Sequence, residues 1–212
     1  MMTLPSVSNA RSRVAEIVRK HRSTISGPAA PAKLAAAVVA VEDKYYYSNV
    51  FVNVLYGVAR AAVAAVRQHG DPGGSTIDQQ LAKQLYPHSR GLAGILEEFG
   101  LGMKLALAYS RPVVLNMYLN AIYYGNGYWG DAAAARGYFG IAPGKLSWAQ
   151  ATLLAGLPQA PSLYDPIQHL RLAKRRQRIV LDQLEDNGYL TPAQSAAIYN
   201  DPLHLKSTVS AG

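Results

Sequence analysis

The stretch 91-GLAGILEEFGLGMKLALAYSRPVVLNMYLNAI-122 carries apolar residues at three- and four-residue spacing, first over 91–109 and again over 112–123. That spacing predicts two successive helices and no strand. The same rhythm runs through most of the chain. No Asn-Gly or Asp-Gly pair is flanked by alternating apolar residues, so an all-α fold is expected.

Working outward, helix starts are marked by hydroxyl residues followed three positions later by an acid or amide: Ser75 with Asp78, Ser147 with Gln150, and Thr191 with Gln194. Pro192 suits the first helical position of the last of these. The resulting map places helices at 10–21, 31–42, 51–68, 76–85, 91–109, 112–123, 130–138, 147–155, 169–186 and 192–199. Gly and Pro gather in the connections, at 71–74, 87, 125–127, 140–144 and 158–166.

Within 91–109, Leu92, Ile95 or Leu96, Phe99, Met103 and Leu107 form the expected core stripe, with Glu98 at its border beside Leu101, Gly102 and Leu105. Gly94, Gly100 and Gly102 interrupt this helix, each at a cost of about 1 kcal/mol relative to Ala. Either a ligand or backbone approaches closely there, or helices pack tightly.

The chain has 212 residues, half of them apolar and 16% charged, which fits one well-cored domain and gives no compositional sign of disorder. Its net charge of +8 favours a polyanionic partner such as nucleic acid, anionic lipid or a phosphate-bearing substrate. With no Cys, disulfide frameworks and thiolate metal sites are excluded. No run approaches the roughly 20 apolar residues that span a bilayer. Arg11, Arg13, Arg19, Lys20 and Arg22 surround Val14, Ile17 and Val18, which fits either a helix lying on anionic lipid or a solvated cap helix. Tyr45, Tyr46, Tyr47 and Phe51 suit a membrane interface or a core equally.

Only five Glu occur, and two stand in apolar settings: Glu42 closes the run Ala36 to Val41, and Glu98 sits inside 91–109. A carboxylate beside apolar surface suits general acid or base work. Gly73-Gly74-Ser75-Thr76 opens a helix whose free amides suit a diphosphate, and Gln79, Gln80 and Lys83 extend its polar reach. The glycine spacing of Gly125 to Gly130 mimics a dinucleotide fingerprint but follows a helix, so the required strand is missing. The five His show no zinc spacing, and no nucleophile elbow is present.

Taken as a string, Gly73-Gly-Ser-Thr-Ile-Asp-Gln-Gln-Leu-Ala-Lys83 closely resembles the second signature, Gly-x-Ser-Thr-x-x-Gln-Gln, of the peptidoglycan glycosyltransferases, glycosyltransferase family 51. Ala40-Val-Glu-Asp43 is similar to the start of the first signature. Arg111 to Asn120 with Ile122 to Gly127 resembles the fourth, and Tyr138-Phe-Gly140, Leu153 to Pro161, Tyr164-Asp-Pro166 and Arg176-x-x-x-Val-Leu181 continue the family order.

The resemblance implies a lysozyme-like helical head over 31–200 with a small hydrophobic jaw at about 45–72, preceded by a basic helix and linker at 1–30 and followed by a tail at 201–212. It implies polymerisation of lipid II into β-1,4 glycan with inversion and release of undecaprenyl diphosphate. Glu42 would be the general base and Glu98 the second catalytic carboxylate. Asp43, Ser75, Thr76, Gln79, Gln80, Lys83, Arg90 and Asn120 would contact substrate, with Lys83 and Arg90 on the diphosphate. A divalent cation, magnesium or manganese, often accompanies Glu98 in the family, and no organic cofactor is implied. The implied partners are lipid II, the growing glycan strand, an anionic membrane surface and other cell-wall synthesis proteins, with no nucleic acid, at the outer face of the cytoplasmic membrane. The membrane helix that precedes the family domain has no counterpart in this sequence.

Departures at five positions stand out. Asn49 replaces the His, and Phe51 the Gly, of the first signature; Gly94 and Ile95 replace the Arg-Lys pair of the third; Asn116 replaces the Glu of the fourth. They motivate a rival expectation, a weakened or inactive homologue that binds lipid-linked glycan or cell-wall partners.

Overall fold

The computed structural model describes residues 4–47, 75–89 and 91–206, leaving aside the side chain of Leu92. The helix expected at 51–68, most of the jaw, and Asn49, Phe51, Gly73, Gly74 and Arg90 lie outside these residues.

The described residues form an all-α fold: α1 (Ala10–Lys20), α2 (Ala32–Glu42), α3 (Ile77–Leu85), α4 (Gly91–Ala108), α5 (Arg111–Ala121), α6 (Asp131–Phe139), α7 (Trp148–Gly156), α8 (Leu170–Asp186) and α9 (Pro192–Asn200). Short 3-10 turns at Pro143–Lys145 and Leu157–Gln159 flank α7. One isolated antiparallel bridge, Tyr123 to Trp129, closes the glycine loop, with Asn126 and Gly127 both at positive φ. That loop links α5 to α6.

Two of the three expected capping boxes form as read: Ser147 with Gln150 starts α7, and Thr191 with Gln194 starts α9. The third is displaced by one residue. Thr76, not Ser75, caps α3, because its hydroxyl accepts from the Gln79 amide while the Gln79 side chain accepts from the Thr76 N–H.

α7 is buried from Ala149 to Gly156, as a helix apolar all round must be, and packs against α2 and α8. α5 forms a second buried axis, contacted by α1, α3, α4 and α6. Val14 and Val18 of α1 are buried in the common core, so the apolar face of the basic helix is turned into the protein. Its Arg11, Arg19 and Lys20 remain exposed.

The core face of α4 differs from the expected stripe. Leu96 and Leu107 are each 70% exposed and Ile95 is exposed too, while Leu101 and Leu105 are buried. Both faces of this helix are apolar, so hydrophobicity alone does not choose between them. The glycines decide. A Cβ on Gly102 would stand 3.1 Å from the Gln79 backbone N, and one on Gly94 would collide with the Ser89 carbonyl oxygen. Bare backbone on this side lets α3 and the loop after it close onto α4, which gives more packing than the bulkier opposite face allows. Tight packing therefore accounts for these glycines.

Candidate active site

Glu42 is the last residue of α2, where the helix dipole is an unfavourable setting for a negative charge. Neighbouring elements offset this. The Gln80 Nε2 of α3 donates to Glu42 Oε2 at 2.8 Å and to the Ser75 carbonyl at 3.3 Å. The hydroxyl of Tyr118 on α5 donates to Gln80 Oε1 at 2.6 Å. Arg176 of α8 brings its guanidinium to 3.9 Å from Glu42 Oε1.

Arg176 is held for this contact by donation from its Nε to the Gly156 carbonyl at 3.3 Å. Gly156 has to be small, since a Cβ there would stand 2.7 Å from Arg176 Cγ. Burial lowers the Arg176 pKa, and the Glu42 charge works against that shift. The cation thus stands in a poorly hydrated place beside an acid, where charge pairing is strong.

Asp43, adjacent to Glu42, is 3% exposed, and its Oδ2 accepts from the Ile77 N–H at 3.3 Å. It clamps the end of α2 to the start of α3. Beside it, Asp78 meets Arg111 at 2.5 Å, and Arg111 lies 5.0 Å over the Tyr46 ring while its carbonyl accepts from the Tyr46 hydroxyl at 2.7 Å. Burial pushes the Asp78 carboxyl up to about 6 despite the pull of Arg111.

α3 and α4 run antiparallel, as the approach of Gln79 to Gly102 and of Ser89 to Glu97 requires. Glu98 lies one turn before Gly102, towards the C-terminal end of α3, with its Oε1 3.3 Å from His88 Nε2. Lys83 is exposed one turn on from Gln79 and pairs with no side chain among the described residues. Glu97 is a staple: it accepts from the Ser89 N–H at 2.7 Å and from the Ser89 hydroxyl at 2.9 Å. An open groove of about 280 Å³ adjoins His88 and Glu97, its far wall formed by Leu4 and Pro5.

The two expected catalytic carboxylates therefore attach to one helix at successive levels, Glu42 through Gln80 and Glu98 through the loop after Leu85. Thr76 and Gln79 are engaged in the α3 cap. Asn120, expected at substrate, is 1% exposed, and its amide joins Ser26 and Asn116. Asn116 donates to the Gly27 carbonyl at 3.1 Å, so this pair fastens the segment between α1 and α2. Glu98 and His88 offer two donors for a cation, and no group of three His, Cys, Asp or Glu suited to a metal occurs among the described residues.

Arg176 and Tyr118 carry weight that the sequence reading did not give them. A signal for Arg176 exists: it shares the apolar stripe of α8 with Ala173, Val180, Leu181 and Leu184, and a cation on a core stripe needs a buried partner.

A family model described as Transglycosylase matches residues 10–185. Penicillin-binding protein 1A of Aquifex aeolicus (strain VF5) is 37% identical over 178 residues, which is 83% of this chain and 24% of that protein. Penicillin-binding protein 1A of Neisseria flavescens is 39% identical over 181 residues, 84% of this chain and 23% of that protein. A crystal structure of penicillin-binding protein 1A from Haemophilus influenzae is similar at 28% identity, over 62% of this chain and 16% of that one, with a TM-score of 0.44. The chain belongs to the transglycosylase family. It spans about a quarter of the length of the penicillin-binding proteins 1A from Aquifex and Neisseria. Among the described residues no helix is long and apolar enough to cross a membrane.

Proposed function

We propose that this chain is a peptidoglycan glycosyltransferase that extends glycan strands from lipid II. The observation that carries the reading is the Glu42 carboxylate, held by Gln80 and faced by the Arg176 guanidinium, in a chain of the transglycosylase family. Glu42 takes the proton from the 4-hydroxyl of the acceptor sugar as that oxygen attacks the donor's anomeric carbon. The anomeric carbon's bond to phosphate breaks, the centre inverts, and undecaprenyl diphosphate departs.

Negative charge grows on the leaving diphosphate, so exposed cations towards the C-terminal end of α3 have a role there. Lys83 supplies one, and Arg90 follows in sequence. Glu98 acts at this end through His88, orienting the polar groups around the diphosphate. Catalysis takes place at the outer face of the cytoplasmic membrane, where α1's exposed basic residues and an anionic surface attract one another. Partner proteins of cell-wall synthesis belong to the same setting.

One observation favours a second reading, a homologue that binds lipid-linked glycan without turnover: the Ser89 carbonyl fills the space beside Gly94, so this packing has no room for a cation at 94. Labelled lipid II in detergent separates the two. Polymer together with released undecaprenyl diphosphate supports the enzyme, and saturable binding with no polymer overturns it in favour of the second reading.

A further inference from the structure

The hydrogen bond to Glu42 depends on which way the Gln80 amide faces, and the surroundings of that amide are asymmetric. On one side lie two acceptors, Glu42 Oε2 at 2.8 Å and the Ser75 carbonyl at 3.3 Å. On the other lies the Tyr118 hydroxyl at 2.6 Å, on a side chain that is wholly buried. A Gln amide has a donating and an accepting end. If it were reversed, its carbonyl would oppose the Glu42 carboxylate and its NH2 would leave both acceptors without this donor. Burial and the charge of Glu42 hold the Tyr118 pKa well above its ordinary value, so the hydroxyl keeps its proton and remains a donor.

We infer that Tyr118 is a positioning residue: by donating to Gln80 Oε1 it fixes the amide so that Nε2 points at Glu42 and holds the carboxylate in its ionised, proton-accepting orientation. Tyr118 reaches no substrate and acts only through Gln80. The inference rests on Glu42 being the general base.

The test compares wild type with Tyr118→Phe, Gln80→Met and the double variant, following kcat, KM for lipid II and the pH profile of kcat at a temperature where each is folded. Tyr118→Phe is expected to lower kcat by about tenfold at little change in KM. It also moves the acid limb of kcat to higher pH by about half a unit, because the ionised carboxylate loses an aligned donor. In the Gln80→Met background, removing the hydroxyl adds no more than about a twofold loss, as one relay requires. Wild-type kcat and an unmoved acid limb in Tyr118→Phe would overturn the inference, as would losses that multiply in the double variant. If Tyr118→Phe does not fold, 3-fluorotyrosine in place of Tyr118 keeps the hydroxyl and the packing while strengthening the donor. The acid limb must then move to lower pH, and an unmoved limb contradicts the relay. Glu42→Gln separates the two levels: if it polymerises like wild type the proposed function fails, whereas if it is inactive and Tyr118→Phe behaves as wild type only the relay fails.

Discussion

The Ser89 carbonyl oxygen occupies the space that a side chain at Gly94 would need. Glu97, three residues further along α4, holds Ser89 there with two hydrogen bonds. A side chain at 94 and the observed path of the loop after α3 therefore exclude one another.

Gly94→Arg is therefore expected to destabilise the protein. Forcing a side chain against tethered backbone costs about 1–3 kcal/mol, a fall in Tm on the order of 2–12 °C for a chain of this size. Ile95→Lys, at a position 55% exposed, should melt within about 2 °C of wild type. Thermal unfolding of both variants checks this, and equal melting temperatures would remove the steric explanation for Gly94.

A second expectation concerns Asp131, the first residue of α6, whose fully buried carboxylate is offset only in part by Ser26 and by the backbone amides of Asp131 and Ala132. Burial pushes it up to about 7, from an ordinary value of 3.8. The folded state holds this proton more tightly than the unfolded state, so ionisation weakens the fold as pH rises from about 4 to about 7, and the penalty stays constant above that. Asp131→Asn removes the effect. The Tm of the variant minus that of wild type should grow between pH 4 and pH 8, and parallel curves would contradict the assignment.

Asp78 and Arg111 form a buried pair in which the acid keeps a second oxygen, Oδ1, without a partner. Arg111→Ala strands a buried carboxylate and should cost about 3–5 kcal/mol in urea unfolding at pH 8. Asp78→Asn should cost less, since an amide has no charge to bury. A larger loss from Asp78→Asn than from Arg111→Ala would reverse the account of this pair.

Gly156→Ala tests the seat of Arg176. The new methyl group would press on Arg176 Cγ, 2.7 Å away, and displace the guanidinium from Glu42. Turnover of lipid II should fall by about 5- to 30-fold, equivalent to roughly 1–2 kcal/mol, with KM little changed. Unchanged turnover in a folded variant would show that the Arg176 contact is not used.

Local signals read well from sequence where one chemistry dominates. Ser147 with Gln150 and Thr191 with Gln194 mark real caps, and the ends of the described helices fall within a residue or two of their expected positions. At α3, Ser75 and Thr76 are adjacent hydroxyls, each followed three residues later by an acid or amide, and tertiary demand chose between them: Arg111 takes Asp78, leaving Gln79 to complete the box. The buried face of α4 differs from the expected stripe because leucines line both of its faces, and only the backbone approach of Gln79 and Ser89 shows which face goes inside. Glu42 and Gln80 stand in separate strings of the sequence, and the fold joins them by a hydrogen bond. Arg176 joins them from a helix over 90 residues away in sequence, a contact made by the packing of α2 against α7 and α8. Asn120, in the same string as Tyr118, proved to be a fastener for Ser26 because it faces the other side of α5.

The most direct test of the central claim is single-turnover polymerisation of labelled lipid II by wild type and Glu42→Gln, with binding of lipid II measured in parallel. Glu42→Gln keeps the size of the side chain and removes only its ability to accept a proton as a carboxylate. Near-normal binding and a rate reduced by at least about 100-fold are expected for Glu42→Gln. Polymer formed at the wild-type rate by this variant would contradict Glu42 as the general base.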